Sequence, residues 1–157
     1  MSTYNLVAKF TLLAVSFVLS CFFSGSETAL FGLPSEDVEH LEDTARGRAV
    51  AHLLQNPRRL LSTILLGNNL ANILFFSVSF LLVLRNRETL GAATVLLVVV
   101  CPVALIIFCE VLPKTLAVSY SHRWSRMAAL PLYYSQVALW PCVRTLEWLA
   151  DTFTNLL

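Results

Sequence analysis

Charged residues are scarce in this sequence, and their scarcity narrows the class of protein. Only 13% of the 157 residues are Asp, Glu, Lys or Arg, whereas 57% are hydrophobic. Soluble globular domains carry about 25% charged residues, so the composition favours a membrane protein. The formal net charge of +1 offers no basic surface for nucleic acid, and we predict no nucleic-acid partner.

Sequence motifs of catalysis and of soft-metal binding are also missing. The chain has no glycine-rich phosphate loop and no HExxH segment, which are signs of nucleotide-binding proteins and zinc enzymes. Its four cysteines form no CxxC pair, and its three histidines lie outside the long apolar segments. We therefore predict that the protein is not an enzyme and that its cysteines are free, buried thiols.

Three apolar segments are long enough to cross a bilayer as helices. They cover residues 4–33, 60–84 and 91–118, and the second consists of 25 consecutive uncharged residues. A membrane-spanning helix needs roughly 20 predominantly apolar residues. A tight polar turn at residues 85–88 separates the second segment from the third. The pattern predicts an all-α membrane protein with three transmembrane helices.

Two further regions have the character of juxtamembrane helices. In residues 34–56, apolar side chains recur every three or four positions, which predicts an amphipathic helix along the membrane surface. Residues 120–157 contain an uncharged stretch, 128–143, that has only 16 residues and carries a proline near each end. That is just below spanning length, so we predict juxtamembrane helices over 120–157, with a fourth span as the alternative.

The distribution of basic residues predicts the orientation in the membrane. Cytoplasmic loops carry an excess of Lys and Arg. Eight basic residues follow the first segment or lie at or beyond the end of the third, namely Arg46, Arg48, Arg58, Arg59, Lys114, Arg123, Arg126 and Arg144. Only Lys9, Arg85 and Arg87 fall on the opposite side. The N-terminus is therefore predicted outside and the C-terminus in the cytosol.

Polar residues occur within all three apolar segments. Ser20 and Ser24 are four residues apart in the first, and Asn68 and Asn72 are four apart in the second, so each pair shares a helix face. Glu110 is the first charged residue of the third. Hydroxyl, amide and carboxylate oxygens are hard donors that suit Mg²⁺, Ca²⁺ or Na⁺. Together these side chains predict an oxygen-lined cation site.

Proline and glycine residues modify the helices beside these polar groups. Pro113 has no N–H, so it leaves the carbonyl of Cys109 without a helical partner next to Glu110. Gly25 and Gly67 allow close approach of neighbouring helices.

Some polar residues have other interpretations, which the sequence leaves open. A carboxylate at membrane depth needs a cation, a proton or a basic partner. Lys114 could be that partner for Glu110, or it could instead pair with Glu27 and close the inner side of the helices. Asn69 points roughly 100° away from Asn68 around the helix, and is equally suited to a contact between helices or between subunits.

Three motifs, in this order, resemble the transmembrane domain of the CNNM/CorC family. They are FFSGSETALFGL at the end of the first segment, NPRRLLSTILLGNNLAN entering the second, and CEVLPKTLA ending the third. The resemblance covers nearly all of residues 1–157. It implies three transmembrane helices with a cytosolic belt of juxtamembrane helices, assembled as a homodimer in the plasma membrane. It also implies Mg²⁺ transport, generally export, coupled to Na⁺.

The resemblance further implies a ligand set and a regulatory partner. The implied Mg²⁺ ligands are Ser20, Ser24, Asn68, Asn72 and Glu110, with Gly67 and Ser26 as weaker candidates. Similar proteins continue into cytosolic CBS domains, which are expected in the full-length protein and absent from this chain. We predict no ATP site in these 157 residues.

Two other functions are compatible with the residues alone. In a membrane scaffold or sensor, the polar residues would hold helices together and the belt would dock a partner. In a proton relay, Glu27 and Glu110 would carry protons, with steep pH dependence and no metal selectivity.

Overall fold

Helices make up all the regular structure in the part of the chain that the computed structural model describes, residues 3–34, 44–91 and 93–156. In chain order these are α1 (Thr3–Phe31), α2 (Ala45–Leu54), α3 (Pro57–Arg85), α4 (Arg87–Leu90), α5 (Ala93–Leu105), a π-helix (Ile106–Val111), α6 (Leu112–Ser119), α7 (Ser121–Ala138) and α8 (Trp140–Leu156). The predicted all-α fold is therefore confirmed.

Three helical stretches are long and apolar enough to cross a membrane. Span one is Tyr4–Phe31, span two is Pro57–Arg85 and span three is Ala93–Ser119, with 28, 29 and 27 residues. Span three combines α5, the π-helix and α6 in one continuous rod. At 1.5 Å per residue, each exceeds the roughly 30 Å of a bilayer's hydrocarbon core. The three spans predicted from hydropathy are therefore found in the structure.

The connection between spans two and three is longer than the predicted turn. Span two ends at Arg85, Asn86 makes a turn, and the single-turn helix α4 follows. Gly91 then adopts a φ of +53°, a left-handed conformation that glycine reaches without the steric penalty of a side chain. The chain therefore reverses through Asn86, α4 and Gly91, and not through residues 85–88 alone.

The juxtamembrane helices lie at both predicted places. Helix α2 lies within the predicted amphipathic segment, whose residues 35–43 fall outside the described part of the chain. Its N-cap is Thr44, whose Oγ1 accepts a hydrogen bond from the N–H of Gly47 at 3.0 Å. Helices α7 and α8 divide the C-terminal region, and neither meets the length and hydropathy of a span. The fourth-span alternative is therefore not supported.

A hydrophobic core joins the juxtamembrane helices to spans one and two. It is formed by buried side chains from α1, α2, α3 and α7: Phe23, Leu30, Val50, Leu53, Leu60, Ile64, Ala128, Ala129 and Leu132. Helix α8 is tied to the start of span two by an ion pair of 2.6 Å between Arg58 and Asp151. The core fixes the ends of the two spans relative to each other.

Two glycines permit the close approach of helices that the sequence predicted. A Cβ atom on Gly67 would lie 2.5 Å from the ring of Phe23, which packs from span one against span two. A Cβ on Gly25 would collide with the indole of Trp124 on α7. A side chain at either position would therefore require a neighbouring aromatic ring to move.

We expect Gly67→Ala to destabilise the protein, because the added methyl group must displace the Phe23 ring. Overpacking of this kind costs about 1–3 kcal/mol, and thermal unfolding of the detergent-solubilised protein should show a lower Tm. Ser77→Ala, on the exposed side of the same helix, is the control and should leave Tm unchanged. A Gly67→Ala protein with wild-type Tm would show that span one can shift freely.

Candidate cation site

Span three changes its helical geometry where it carries Glu110. The π-helix Ile106–Val111 contains this residue, and its wider turn ends with a hydrogen bond from the N–H of Leu112 to the carbonyl of Ile107. Pro113 follows directly and supplies no N–H for the preceding turn. Such π-turns insert one extra residue and are frequent at functional sites. The sequence predicted a distortion at Pro113 but not this form of it.

Ser20 connects span one to both candidate asparagines of span two. Its Oγ lies 2.6 Å from Oδ1 of Asn72 and 3.2 Å from Oδ1 of Asn68. A serine hydroxyl has a single proton to donate, so the two amide oxygens compete for it and the shorter contact is the stronger. Two amide oxygens and one hydroxyl oxygen therefore converge on one point.

Asn72 continues this connection to span three. Its Nδ2 donates a hydrogen bond to Oε1 of Glu110 at 3.2 Å. One asparagine side chain thus accepts from span one and donates to span three, which no apolar residue of the same size could do. Asn72 and Glu110, both predicted as residues of one site, are therefore in direct contact.

Ser24 meets Glu110 through the main chain. Its Oγ donates to the carbonyl oxygen of Glu110 at 3.3 Å, and this carbonyl belongs to the π-helix. A carbonyl within a π-turn is a further hard oxygen at the site. The sequence predicts the carboxylate of Glu110 as a ligand, whereas the contact of Ser24 with the backbone of the same residue depends on the tertiary structure.

The five predicted site residues form one hydrogen-bonded network that touches all three spans. Ser20 and Ser24 are fully buried, and the other three are half-buried. The network consists of Ser20, Ser24, Asn68, Asn72 and Glu110. Their proximity is established by the structure, whereas their role as metal ligands stays a prediction.

The weaker candidates and Asn69 lie outside this network. Ser26 donates to the carbonyl of Phe22 at 2.6 Å and accepts a hydrogen bond from Trp124. Gly67 serves the helix packing described above. Asn69 is exposed on span two and forms no hydrogen bond within the described residues. It makes no interhelical hydrogen bond to any described residue, so contact with a second subunit is the interpretation that remains open.

Two cysteine thiols, for which the sequence predicts no role beyond packing, lie beside the network. The thiol of Cys21 points to the carbonyl of Phe108 at 3.6 Å, and the thiol of Cys109 points to the carbonyl of Phe17 at 3.7 Å. Both are free. These reciprocal contacts hold the π-helix against span one, next to Ser20 and Glu110. The sequence contains one sign of this proximity, because Cys21 directly follows Ser20 and Cys109 directly precedes Glu110.

The predicted pair of Glu27 and Lys114 is present. Lys114 Nζ lies 3.1 Å from Glu27 Oε2, with 44% and 26% of the respective side chains exposed. Lys114 therefore neutralises Glu27 on span one, and Glu110 is left with Asn72 as its side-chain partner. The closing role of this pair stays a prediction.

The chemistry of the network suits a hard cation. It offers two hydroxyls, two amide oxygens, a carbonyl and one carboxylate, and these are the ligand types that Mg²⁺, Ca²⁺ and Na⁺ accept. Within the described residues no three His, Cys, Asp or Glu side chains form a metal-ligating group. Glu110 supplies the one acidic side chain, and a carboxylate at membrane depth needs a cation, a proton or a basic partner.

Three membrane-crossing helices that share a polar, oxygen-rich centre define a multi-pass membrane protein with a candidate ion site. Residues 11–157 match the family model of the Cyclin M transmembrane N-terminal domain, CNNM. The chain therefore belongs to the CNNM family, which is generally linked to divalent cation transport. The resemblance seen in the three sequence motifs is confirmed.

Several curated proteins are similar to this chain. The UPF0053 inner membrane protein YfjD of Escherichia coli (strain K12) is 32% identical over 88% of this chain and 32% of its own length. A UPF0053 protein of Haemophilus influenzae is 32% identical over 99% of this chain and 36% of its own length. A chloroplastic DUF21 domain-containing protein of Arabidopsis thaliana is 29% identical over 88% and 21%, respectively. The chain spans about a third or less of these relatives.

We expect Glu27→Gln to weaken helix packing more than ion binding. The pair is partly exposed, so its loss should cost less than about 1 kcal/mol, measured by thermal unfolding. The double variant Glu27→Lys with Lys114→Glu restores the opposite charges and should recover stability. If Glu27→Gln reduced Mg²⁺ affinity as much as Glu110→Gln, the pair would belong to the ion site itself.

Proposed function

We propose that this chain is the ion-binding membrane domain of a Mg²⁺ transporter that exports the ion, coupled to Na⁺. The observation that carries the proposal is the hydrogen-bonded connection from Ser20 through Asn72 to Glu110, one residue from each span. Oxygen atoms that three helices bring into one hydrogen-bonded network can hold an ion between those helices. A movement of any one span would then change the ion's coordination.

The composition of the site supports a transported ion over a permanently bound one. Mg²⁺ dehydrates reluctantly and is commonly held through one or two carboxylates together with retained waters. Glu110 supplies one carboxylate, while Ser20, Asn68 and Asn72 supply neutral oxygens. A transport site must bind strongly enough to load the ion and weakly enough to release it. A single charge among neutral donors meets this requirement.

Charge distribution and the name of one relative support the proposed orientation and location. The excess of Lys and Arg on one side of the spans supports a cytosolic C-terminus and an external N-terminus. One relative is named as an inner membrane protein, which supports the cytoplasmic membrane for this chain. Movement of Mg²⁺ from the Lys/Arg-rich side outward is the proposed direction of transport.

The proposed functional unit is larger than this chain. We propose a homodimer, in which the exposed Asn69 of span two is available for contact with the second copy. Because the chain spans about a third of its bacterial relatives, we propose that regulatory CBS domains accompany it in the full-length protein. The membrane lipids are its remaining partner.

A scaffold or sensor is the second candidate, and one feature of the network favours it. Ser20, Asn72 and Glu110 satisfy one another by hydrogen bonds without an ion, as helix-tying polar groups do. A scaffold would carry no flux. Proteoliposomes that contain a Mg²⁺-sensitive dye therefore separate the two functions. Flux that depends on the Na⁺ gradient and on Glu110 supports the transporter, and flux indifferent to Glu110 supports the scaffold.

We expect Asn72→Ala and Glu110→Gln to abolish Mg²⁺ binding and leave the oligomeric state unchanged. Each removes an oxygen donor or the single charge of the site, and losing a charged or hydrogen-bonded ligand costs at least about tenfold in affinity. Isothermal titration with Mg²⁺, Ca²⁺ and Na⁺ measures the effect.

Asn69→Ala is the matched control for this experiment. It removes the same amide from an adjacent, exposed position of the same helix, so Mg²⁺ affinity should stay at the wild-type value. A variant of Asn72 or Glu110 that binds Mg²⁺ with wild-type affinity would remove that residue from the site.

A further inference from the structure

A basic cavity lies between the juxtamembrane helices, away from the candidate cation site. Its volume is about 480 Å³, and its lining comes from the start of α2 and the first two turns of α7. The lining residues are Thr44, Arg46, Arg123, Arg126 and Met127. Three guanidinium groups from two different helices therefore border one space.

The basic side chains that line this cavity favour an anionic ligand. Within the described residues neither Arg46 nor Arg123 forms an ion pair, and Arg126 donates its Nε–H to the carbonyl of His122 at 3.3 Å. The positive end of the dipole of α2, which is capped at Thr44, lies at the same cavity. Guanidinium groups such as these three are the donors that proteins use to bind phosphate and carboxylate oxygens.

The position of the cavity identifies the kind of anion. Arg123 lies four residues beyond Ser119, the last residue of span three, and is therefore at the membrane boundary. From Met127, which lines the cavity, an apolar stripe continues along α7 through Leu130 and Tyr134 at helical spacing. Met127 is 65% exposed, Leu130 46% and Tyr134 70%. A positively charged cavity thus lies at one end of an exposed apolar stripe.

We propose that this cavity binds the phosphate group of an anionic phospholipid, with an acyl chain along the stripe of α7. Guanidinium groups bind phosphate oxygens through paired, charge-assisted hydrogen bonds, and basic pockets on the cytoplasmic side recognise such headgroups. A soluble phosphate compound would use the arginines but would leave Met127, Leu130 and Tyr134 exposed. The exposed apolar stripe is the observation that favours a lipid over a soluble phosphate compound.

Such a lipid would influence the position of the juxtamembrane helices. Arg123 and Arg126 flank Trp124, whose indole packs on Gly25 of span one, adjacent to Ser24. A phospholipid held by α2 and α7 would fix these two helices together where α7 meets span one.

The test compares lipid binding by wild type and by variants of the delipidated protein in detergent, measured by native mass spectrometry. We expect wild type to bind phosphatidylglycerol in preference to phosphatidylcholine. The variant Arg46→Gln, Arg123→Gln, Arg126→Gln should lose this preference by at least about tenfold, because it removes the charge-assisted hydrogen bonds. The control Lys9→Gln, Arg85→Gln, Arg144→Gln has the same change in net charge and should keep it.

Two further experiments test whether the ligand is a lipid. Met127→Glu changes an exposed residue and places a carboxylate where headgroup and chain would meet, so it should reduce phosphatidylglycerol binding even if the triple variant fails to fold. Competition with inorganic phosphate tests for a soluble ligand. Equal loss in the control, wild-type binding by Met127→Glu, displacement of the lipid by millimolar phosphate, or no lipid preference in wild type would each overturn the proposal.

Discussion

A carboxylate within a membrane-spanning helix is costly unless its charge is met by a partner, and Glu110 imposes this constraint on the fold. Its side chain accepts from Asn72, and its main-chain carbonyl accepts from Ser24. Asn72 and Asn68 in turn meet Ser20. Spans one, two and three are therefore held by polar contacts at one level. In lipid, where apolar surface offers little drive for helix association, such contacts determine which helix faces meet.

Local departures from regular helix packing make this polar centre possible. The π-helix ahead of Pro113 adds a residue to the turn that carries Cys109 and Glu110. It presents Cys109 to span one, and Glu110 to span one by its carbonyl and to span two by its side chain. Gly67 has no side chain, so the ring of Phe23 can lie against span two one position from Asn68. Close approach is a requirement here, since hydrogen bonds between spans reach only about 3 Å.

The juxtamembrane helices extend this arrangement to the membrane surface. Trp124 of α7 packs on Gly25, so the belt is in direct contact with span one beside Ser24. The hydrophobic core at the same end includes Leu53 of α2 and Leu132 of α7. Packed side chains therefore connect the arginine-lined cavity between these helices to the end of span one, which carries two of the five network residues.

The sequence by itself determined the three spans, because hydropathy and length decide what can cross a bilayer. It also determined the faces of the polar centre, since four-residue spacing places Ser20 with Ser24 and Asn68 with Asn72. The partners were decided only by the tertiary structure. Helical spacing could not tell whether Lys114 serves Glu27 or Glu110, nor that Ser24 would bind a π-helical carbonyl, because both depend on how one helix rotates against another.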